Sequence, residues 1–464
     1  MEFSSYPAAL SFFEDAARYG IVPGLASVRR LCARLGNPQE RLRIVHVAGT
    51  NGKGSVTAYL TSILKTEGYP VGTFNSPALS DYRERILYRG RMLSQKDFTR
   101  LAGLVETACG EIVSEGHPHP TQFEMDVALG FLYFREKGCD PVILECGMGG
   151  EEDATNLIER PLLSVLTSVS MDHQKFLGRT LAQIAEKKAG IIKEGRPVYT
   201  CAQKDEALRV IRKRAKEKHA PLFVAEREEI SHIRRGRGTL RFDVPDFPKL
   251  TISLAGLYQI ENAQLALHAA LYLKTEGYAL DDRALYRGFL DTRWAGRFER
   301  INKKPTVILD GAHNEDAAKR LAESLKFYFT NTRLVFIIGV LRDKAYDRLL
   351  AETLPLTDAV ITVKPPYNPR ALDALSLANA ARETAEGLLA EGENGLLESG
   401  EREALQRLRI TAVDSVEEAA ETALMLAGED DVIVCFGSLS YLAPMRRAFL
   451  SCSRKKEAKE SRLP

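Results

Sequence analysis

The chain has 464 residues, 45% hydrophobic and 27% charged, with 64 Lys and Arg against 62 Asp and Glu. That length exceeds one ordinary domain and sets an expectation of two, while a net charge of +2 gives no argument for nucleic acid or an anionic membrane. Seven scattered cysteines without a Cys-x-x-Cys pair, no apolar run of bilayer length and no basic-then-apolar leader after Met1 together read as a cytoplasmic protein with reduced thiols.

Residues 7–36 read as helix, broken at Gly20-Ile-Val-Pro-Gly24 and stopped by Gly36-Asn-Pro38. Leu25, Val28, Leu31 and Leu35 recur at helical spacing and are expected in the core. The stretch around which the chain is organised follows. Ile44–Ala48 reads as a buried strand, Gly49-Thr50-Asn51-Gly52-Lys53-Gly54-Ser55 as a glycine-rich loop, and Ser55 to about Glu67 as a helix. Strand, loop, lysine and a hydroxyl at a helix start make a phosphate site. The glycines admit backbone N–H groups to phosphate oxygens, and the helix N-terminus adds partial positive charge. Lys53 can reach terminal phosphates and Ser55 can hold Mg²⁺. The spacing is GxxGKGS, not the commoner GxxxxGK[ST].

Val71–Leu79 reads as a strand ending in a turn at Ser76-Pro77, a usual place for ligand residues in open α/β sheets. Thr121-Gln122-Phe123-Glu124 opens a helix through Phe134, and Thr followed three residues later by Glu is a capping box. His117-Pro-His-Pro120 reads as a loop without a metal role. Val142–Leu144 is expected as a central strand. Glu145 ends it before a glycine turn, a geometry suited to a Mg²⁺ ligand, direct or through water. Another strand begins at Leu163 and leads to Asp172-His173. A helix carries Lys187 and Lys188, Arg209–Lys218 reads as a solvated helix, and Arg234-Arg-Gly-Arg-Gly238 as a hairpin turn. In the Ala-rich helix after Leu254, Gln259 and Asn262 share a face.

Trp294-Ala-Gly-Arg297-Phe-Glu299 marks a domain boundary. Strands are then expected near 306–310, 334–339, 358–363, 409–413 and 432–436, which makes a second parallel α/β unit. Asp310-Gly-Ala-His313-Asn314 follows the first of these, Asp343-Lys344 the second and Gly437-Ser438 the last. Residues 378–408 read as a surface helical excursion. The expected fold class is α/β: an N-terminal P-loop-type parallel-sheet ATPase domain over 1–296, a smaller Rossmann-like α/β domain over 297–452, and a disordered tail over 453–464.

These motifs share one order. Thr50–Ser55, Ser76-Pro77 with Glu84-Arg-Ile86, Thr121-x-Phe-Glu124, Glu145-x-Gly-x-Gly-Gly150 with Asp153-Ala-Thr-Asn156, Lys188-Ala-Gly-Ile-Ile-Lys193, Trp294-x-Gly-Arg-Phe-Glu299 and Asp310–Asn314 together resemble the folylpolyglutamate synthase and dihydrofolate synthase family. That family is the folate branch of the Mur ligase superfamily. The resemblance implies an ATP-dependent carboxylate–amine ligase that adds L-glutamate to folate through an acyl phosphate, with dihydropteroate as a further substrate in bifunctional members. It implies ATP on residues 49–55, Asn262, Arg297 and Asp310. It implies two Mg²⁺ ions on Ser55, Ser76, Glu145 and His173, and substrate contacts at Thr121, Gln122, Phe123, Glu124, Asp153 and Ala154. Lys53, Lys188 and His313 are its catalytic candidates. A guanidinium at Arg297 can grip a transferring phosphate bidentately. The expected partners are small molecules, with no nucleic acid, no membrane and a monomeric chain.

The resemblance also extends to N-carboxylation of Lys188 by CO₂. At about 4 Å and an effective dielectric near 20, each pair of unit charges is worth about 4 kcal/mol, so a dication there responds strongly to the change of charge. An unmodified lysine on phosphate stays open beside that reading. Four positions depart from the family pattern: Ala78 and Tyr258 replace histidines, Glu151 an arginine and Lys187 a glutamate. The last two invert charge and suggest a compensating swapped pair. A Mur-type ligase with a UDP-linked cell-wall substrate, a P-loop ATPase without ligase activity and a binding-only relative are the alternatives.

Overall fold

The computed structural model describes residues 3–236, 238–391 and 397–460. It divides into two compact units: 1–253 with 259–293, and 254–258 with 294–464. The second unit thus begins at Trp294 and takes in the short segment Leu254–Tyr258.

The first unit is built on β1 (Ile44–Ala48), β2 (Gly72–Phe74), β3 (Ile86–Tyr88), β4 (Arg91–Met92), β5 (Val142–Glu145), β6 (Leu163–Leu166), β7 (Val198–Cys201) and β8 (Leu222–Ala225). They form one sheet in the order β4-β3-β2-β5-β1-β6-β7-β8. From β2 to β8 the pairing is parallel, while β3 and β4 close one edge as an antiparallel hairpin. Every residue of β1, β5 and β6 is buried, as a parallel sheet covered on both faces requires. The chain passes from β5 to β6 across β1. The winding therefore changes direction at β1, and ligands of open α/β sheets gather beyond the carboxyl end of such a strand.

One face is covered by the helices Tyr6–Asp15, Ala26–Arg34, Gln95–Ser114 and Gln122–Glu136. Phe13, Phe74, Phe98, Phe131 and Phe134 fill the core beneath them. Val28 and Leu31 are fully buried there, with Leu25 and Leu35 packed at the margin. The helix Lys53–Thr66 lies against Asp282–Asp291, where Gly288 is needed. A Cβ at that position would stand 2.6 Å from Ile63 Cα, and the Ser62 hydroxyl donates to the Gly288 carbonyl at 2.7 Å.

An antiparallel sheet of β9 (Ser231–Arg235), β10 (Leu240–Val244) and β11 (Phe247–Ile252) follows. The expected basic turn joins β9 to β10, with Arg237 outside the described residues. The hairpin turn implied strands on each side without bounds; β9 is exposed throughout and lacks the alternation that marks a half-buried strand.

The second unit contains β12 (Glu299–Lys303), β13 (Thr306–Leu309), β14 (Leu334–Ile338), β15 (Ala359–Val363), β16 (Arg409–Val413) and β17 (Val432–Phe436). Their order is β12-β13-β17-β14-β15-β16, parallel except for β12. The five expected strands are present, and β12 is an addition. The excursion at 378–408 is not confined to the surface. Its helices are Ala374–Glu391 and Ser399–Gln406, and Ala381, Ala385 and Leu405 enter the core of this unit. The last helix runs Leu442–Glu460, into the segment expected as a tail, and 461–464 lie outside the described residues. Among the described residues no helix is long and apolar enough to cross a membrane.

Candidate active site

The loop after β1 is fixed by the strand beside it. Thr50 N–H donates to the Ser168 carbonyl at 2.7 Å, and the Thr50 hydroxyl to the Ser170 carbonyl at 3.0 Å. Ser170 N–H returns a bond to that hydroxyl at 3.1 Å, and Asn51 Nδ2 donates to Ser170 Oγ at 3.3 Å. Gly49 has φ +151°, and a Cβ there would fall 1.8 Å from Thr167 Oγ1. Gly52, with φ +91°, would place a Cβ 2.4 Å from Asn262 Oδ1. Neither position admits another residue without moving its neighbour.

Behind the loop lies a buried relay. Asn262 Nδ2 donates to Gln259 Oε1 at 3.1 Å, and Gln259 Nε2 donates to Ser55 Oγ at 3.1 Å. Gln259 is fully buried, so its amide orients Ser55. In front, two lysines meet one carbonyl. Lys188 Nζ donates to Gly49 O at 2.7 Å and Lys53 Nζ to the same oxygen at 3.1 Å, with Thr50 O at 3.2 Å from Lys53. Burial pushes the Lys188 ammonium down to about 7, and neighbouring Lys53 adds to the shift. Two lysines converging on one carbonyl, the buried one held partly neutral, form a site suited to an anion.

The other ligand candidates sit at neighbouring strand ends. Glu145, buried, ends β5 and pairs in register with Val47 of β1. Ser76 lies just beyond β2, whose Phe74 pairs with Leu144. The Glu84 carboxylate holds the Ser76 turn by accepting from Leu79 N–H at 2.7 Å and Ser80 N–H at 3.0 Å. His173, at φ +50°, follows the Ser168–Ser170 segment that pins the loop, and its Nε2 is 3.9 Å from Asp172 Oδ2. Among the described residues no group of three His, Cys, Asp or Glu side chains gathers as a metal cluster. One carboxylate and two hydroxyls nevertheless suit Mg²⁺, which draws much of its shell from water and substrate phosphates.

Thr121–Glu124 is a complete capping box. Glu124 Oε2 accepts from Thr121 N–H at 2.7 Å, Thr121 Oγ1 at 2.9 Å and Ser27 Oγ at 3.0 Å. Phe123 covers Gly147, where a Cβ would meet its ring at 2.5 Å. Asp153 serves its own turn. It accepts from Met148 N–H at 2.8 Å, Thr155 N–H at 3.0 Å and Thr155 Oγ1 at 2.6 Å. Burial raises its pKa and these bonds oppose the rise. Ala154, next along, is buried.

In the second unit Asp310 follows β13. It accepts from Tyr258 OH at 2.6 Å, Phe298 N–H at 2.8 Å and Ala312 N–H at 2.8 Å. Burial raises its pKa, against those bonds and the Arg297 charge. Arg297 lies over Gly311, where a Cβ would stand 2.6 Å from its Nη1. His313 Nδ1 donates to the Gly311 carbonyl at 2.7 Å, so in the neutral ring Nε2 is the basic nitrogen.

Sequence reasoning missed Thr167, Ser168 and Ser170 as the clamp on the loop and Gln259 as the support of Ser55. The available signal was a run of hydroxyl residues directly after an apolar strand.

The Mur ligase middle domain matches residues 47–270, and the Mur ligase glutamate ligase domain matches 296–439. A dihydrofolate synthase/folylpolyglutamate synthase of Bacillus subtilis (strain 168) is 38% identical over 366 residues, 77% of this chain and 85% of the relative. The chain belongs to the folylpolyglutamate synthase family of Mur ligases. Mycobacterium tuberculosis folylpolyglutamate synthase, solved with ADP and AMPPCP, superposes with a TM-score of 0.83 at 29% identity, covering 96% of this chain and 99% of that one. E. coli FolC, solved with DHPP and ADP, gives 0.80 at 29% identity, covering 97% and 99%.

Within the family pattern, the inverted charges at 151 and 187 meet. Lys187 Nζ is 3.6 Å from Glu151 Oε2 and 2.8 Å from Glu152 Oε2, and Glu151 N–H donates to the Lys187 carbonyl at 2.8 Å. Lys187 and Glu151 are thus placed to attract one another, as a swapped pair would be. Glu151→Arg alone should lower stability by about 0.5–1 kcal/mol, the range of exposed pairs, and Glu151→Arg with Lys187→Glu should recover it. A double-mutant cycle by urea unfolding measures this, and additive effects would remove the pairing.

Lys188 gives a pH signature. With the folded pKa near 7 against 10.5 for a free lysine, the unfolded chain binds more protons between those values. Stability from this group therefore rises with pH from 7 towards 10.5 and is lost as pH falls through 7. Lys188→Met should flatten that slope in urea titrations run between pH 7 and 10.

Proposed function

We propose that the chain is an ATP-dependent carboxylate–amine ligase that adds L-glutamate to a folate. Dihydropteroate is a further acceptor, a reading favoured by the 38% identity to a relative named for both activities. The observation that carries the ligase reading is the convergence of Lys53 and Lys188 on the Gly49 carbonyl, within a loop of backbone amides at a helix start. ATP is assigned to this loop, a reading supported by a relative solved with ADP and AMPPCP. Lys53 leaves its loop carbonyls for the terminal phosphates. The folate carboxylate attacks the γ-phosphorus, ADP departs and an acyl phosphate forms. The glutamate amine attacks its carbonyl carbon, inorganic phosphate leaves, and the amine releases a proton, for which His313 Nε2 is the candidate acceptor. Arg297 is assigned to the transferred phosphate, with Asp310 holding the adjacent Phe298 backbone and Tyr258 in place. Such catalysis is positioning and charge stabilisation, not covalent chemistry by the protein.

Ser55, Ser76, Glu145 and His173 are the residues that would hold Mg²⁺, which neutralises phosphate charge when bound. Lys188, whose ammonium burial pushes down to about 7, is suited to CO₂ addition through its neutral amine. As a carbamate it would supply another anionic oxygen.

The test is phosphate release from ATP with tetrahydrofolate or dihydropteroate, with and without glutamate. Release that depends on all three substrates is expected, whereas release without glutamate at the same rate would favour a plain ATPase. Lys53→Ala should lower turnover by about 10²–10³ or more, and near-normal turnover would refute its role.

A further inference from the structure

Asp126 lies in the core beside the substrate segment and belongs to no motif singled out above. It sits on the helix Gln122–Glu136, four residues after Gln122 and on the same face. Its neighbours Met125 and Val127 are fully buried, and its own side chain is 2% exposed. Oδ1 accepts from Tyr82 OH at 2.6 Å, and that hydroxyl accepts from Gln122 Nε2 at 3.1 Å. Oδ2 is 3.6 Å from Arg85 Nη1, and the Arg85 guanidinium lies 4.8 Å from the Tyr82 ring centroid.

Tyr82 and Arg85 bound a single short turn, Tyr82–Arg85. Within it, Glu84 holds the Leu79 and Ser80 amides, and the Glu84 and Arg85 carbonyls accept from Asn75 at 3.3 and 2.8 Å. One carboxylate therefore anchors a side-chain amide on the helix and the turn that carries the Ser76 segment. Three buried atoms of this helix and turn, Arg85 Nε, Glu124 Oε1 and Asp126 Oδ2, have no hydrogen-bond partner within the described protein.

We propose that Asp126 is a positioning residue for the pteridine-bearing substrate, orienting Gln122 through Tyr82 and the Ser76–Arg85 segment through Arg85. The proposal rests on the ligase reading above. Stability alone does not account for an acid here. Burial pushes the Asp126 carboxyl up to about 6, with Arg85 and Tyr82 opposing the rise. Replacing a whole buried ion pair by apolar residues is often neutral or stabilising, whereas removing one partner leaves the other charge uncompensated. The carboxylate holds Tyr82, and through its hydroxyl Gln122, and lies against Arg85.

Full-length Asp126→Leu, Asp126→Asn and Tyr82→Phe are assayed by glutamate-dependent phosphate release, with KM measured separately for tetrahydrofolate and for ATP, beside thermal unfolding. Asp126→Leu and Tyr82→Phe should each raise KM for tetrahydrofolate about tenfold or more, with KM for ATP within about twofold. Asp126→Asn still accepts from Tyr82 and should restore KM to within about threefold of the parent. Should Asp126→Leu fail to fold, Tyr82→Phe carries the comparison. An unshifted tetrahydrofolate KM in Tyr82→Phe, or equal shifts for both substrates, overturns the proposal. A parent chain with no glutamate-dependent release overturns the ligase reading and this proposal with it, whereas an active parent with unmoved variants overturns the proposal alone.

Discussion

The close approach of Gly49 to Thr167 sets the geometry of the candidate nucleotide loop. With no side chain at 49, the loop backbone presses against the end of β6, and bonds from Thr50 and Asn51 to Ser168 and Ser170 hold it there. The Gly49 carbonyl is then the point on which Lys53 and Lys188 converge. The same segment leads on to Asp172 and His173. Loop position, lysine placement and the neighbouring ligand candidate thus descend from one close approach between adjacent parallel strands.

Several buried polar groups stand against the stability of this fold. Lys188, Asp126, Asp153 and Asp310 all have pKa values moved by burial towards their neutral forms. Asp153 and Asp310 each accept three bonds from their own surroundings, which accounts for them as organisers of turns at strand ends. Lys188 has a single carbonyl partner and a cation beside it. A buried lysine with a shifted pKa of this kind is a functional-site candidate.

Much of this was legible in the sequence because it depends on local chemistry. The loop at 49–55, the capping box at 121–124 and the parallel strands of the second unit follow from glycine spacing, a Thr–Glu pair and apolar runs. The inverted charges at 151 and 187 were also readable as a pair, and their side chains do approach. What stayed hidden depends on distant residues. Gln259 supports Ser55 across 204 positions, and Asp126 meets Tyr82 across 44. A lone acid in an apolar helix gives no clue to its partner. The bounds of the exposed strand β9 were invisible for the opposite reason, since no burial pattern marked them.

Amide hydrogen exchange, with and without Mg²⁺ and a non-hydrolysable ATP analogue, tests most directly the claim that the loop backbone cradles the phosphates. The account predicts new protection in peptides spanning 49–55, reduced by Lys53→Ala. Protection that appears elsewhere in the chain while 49–55 exchanges unchanged would contradict it.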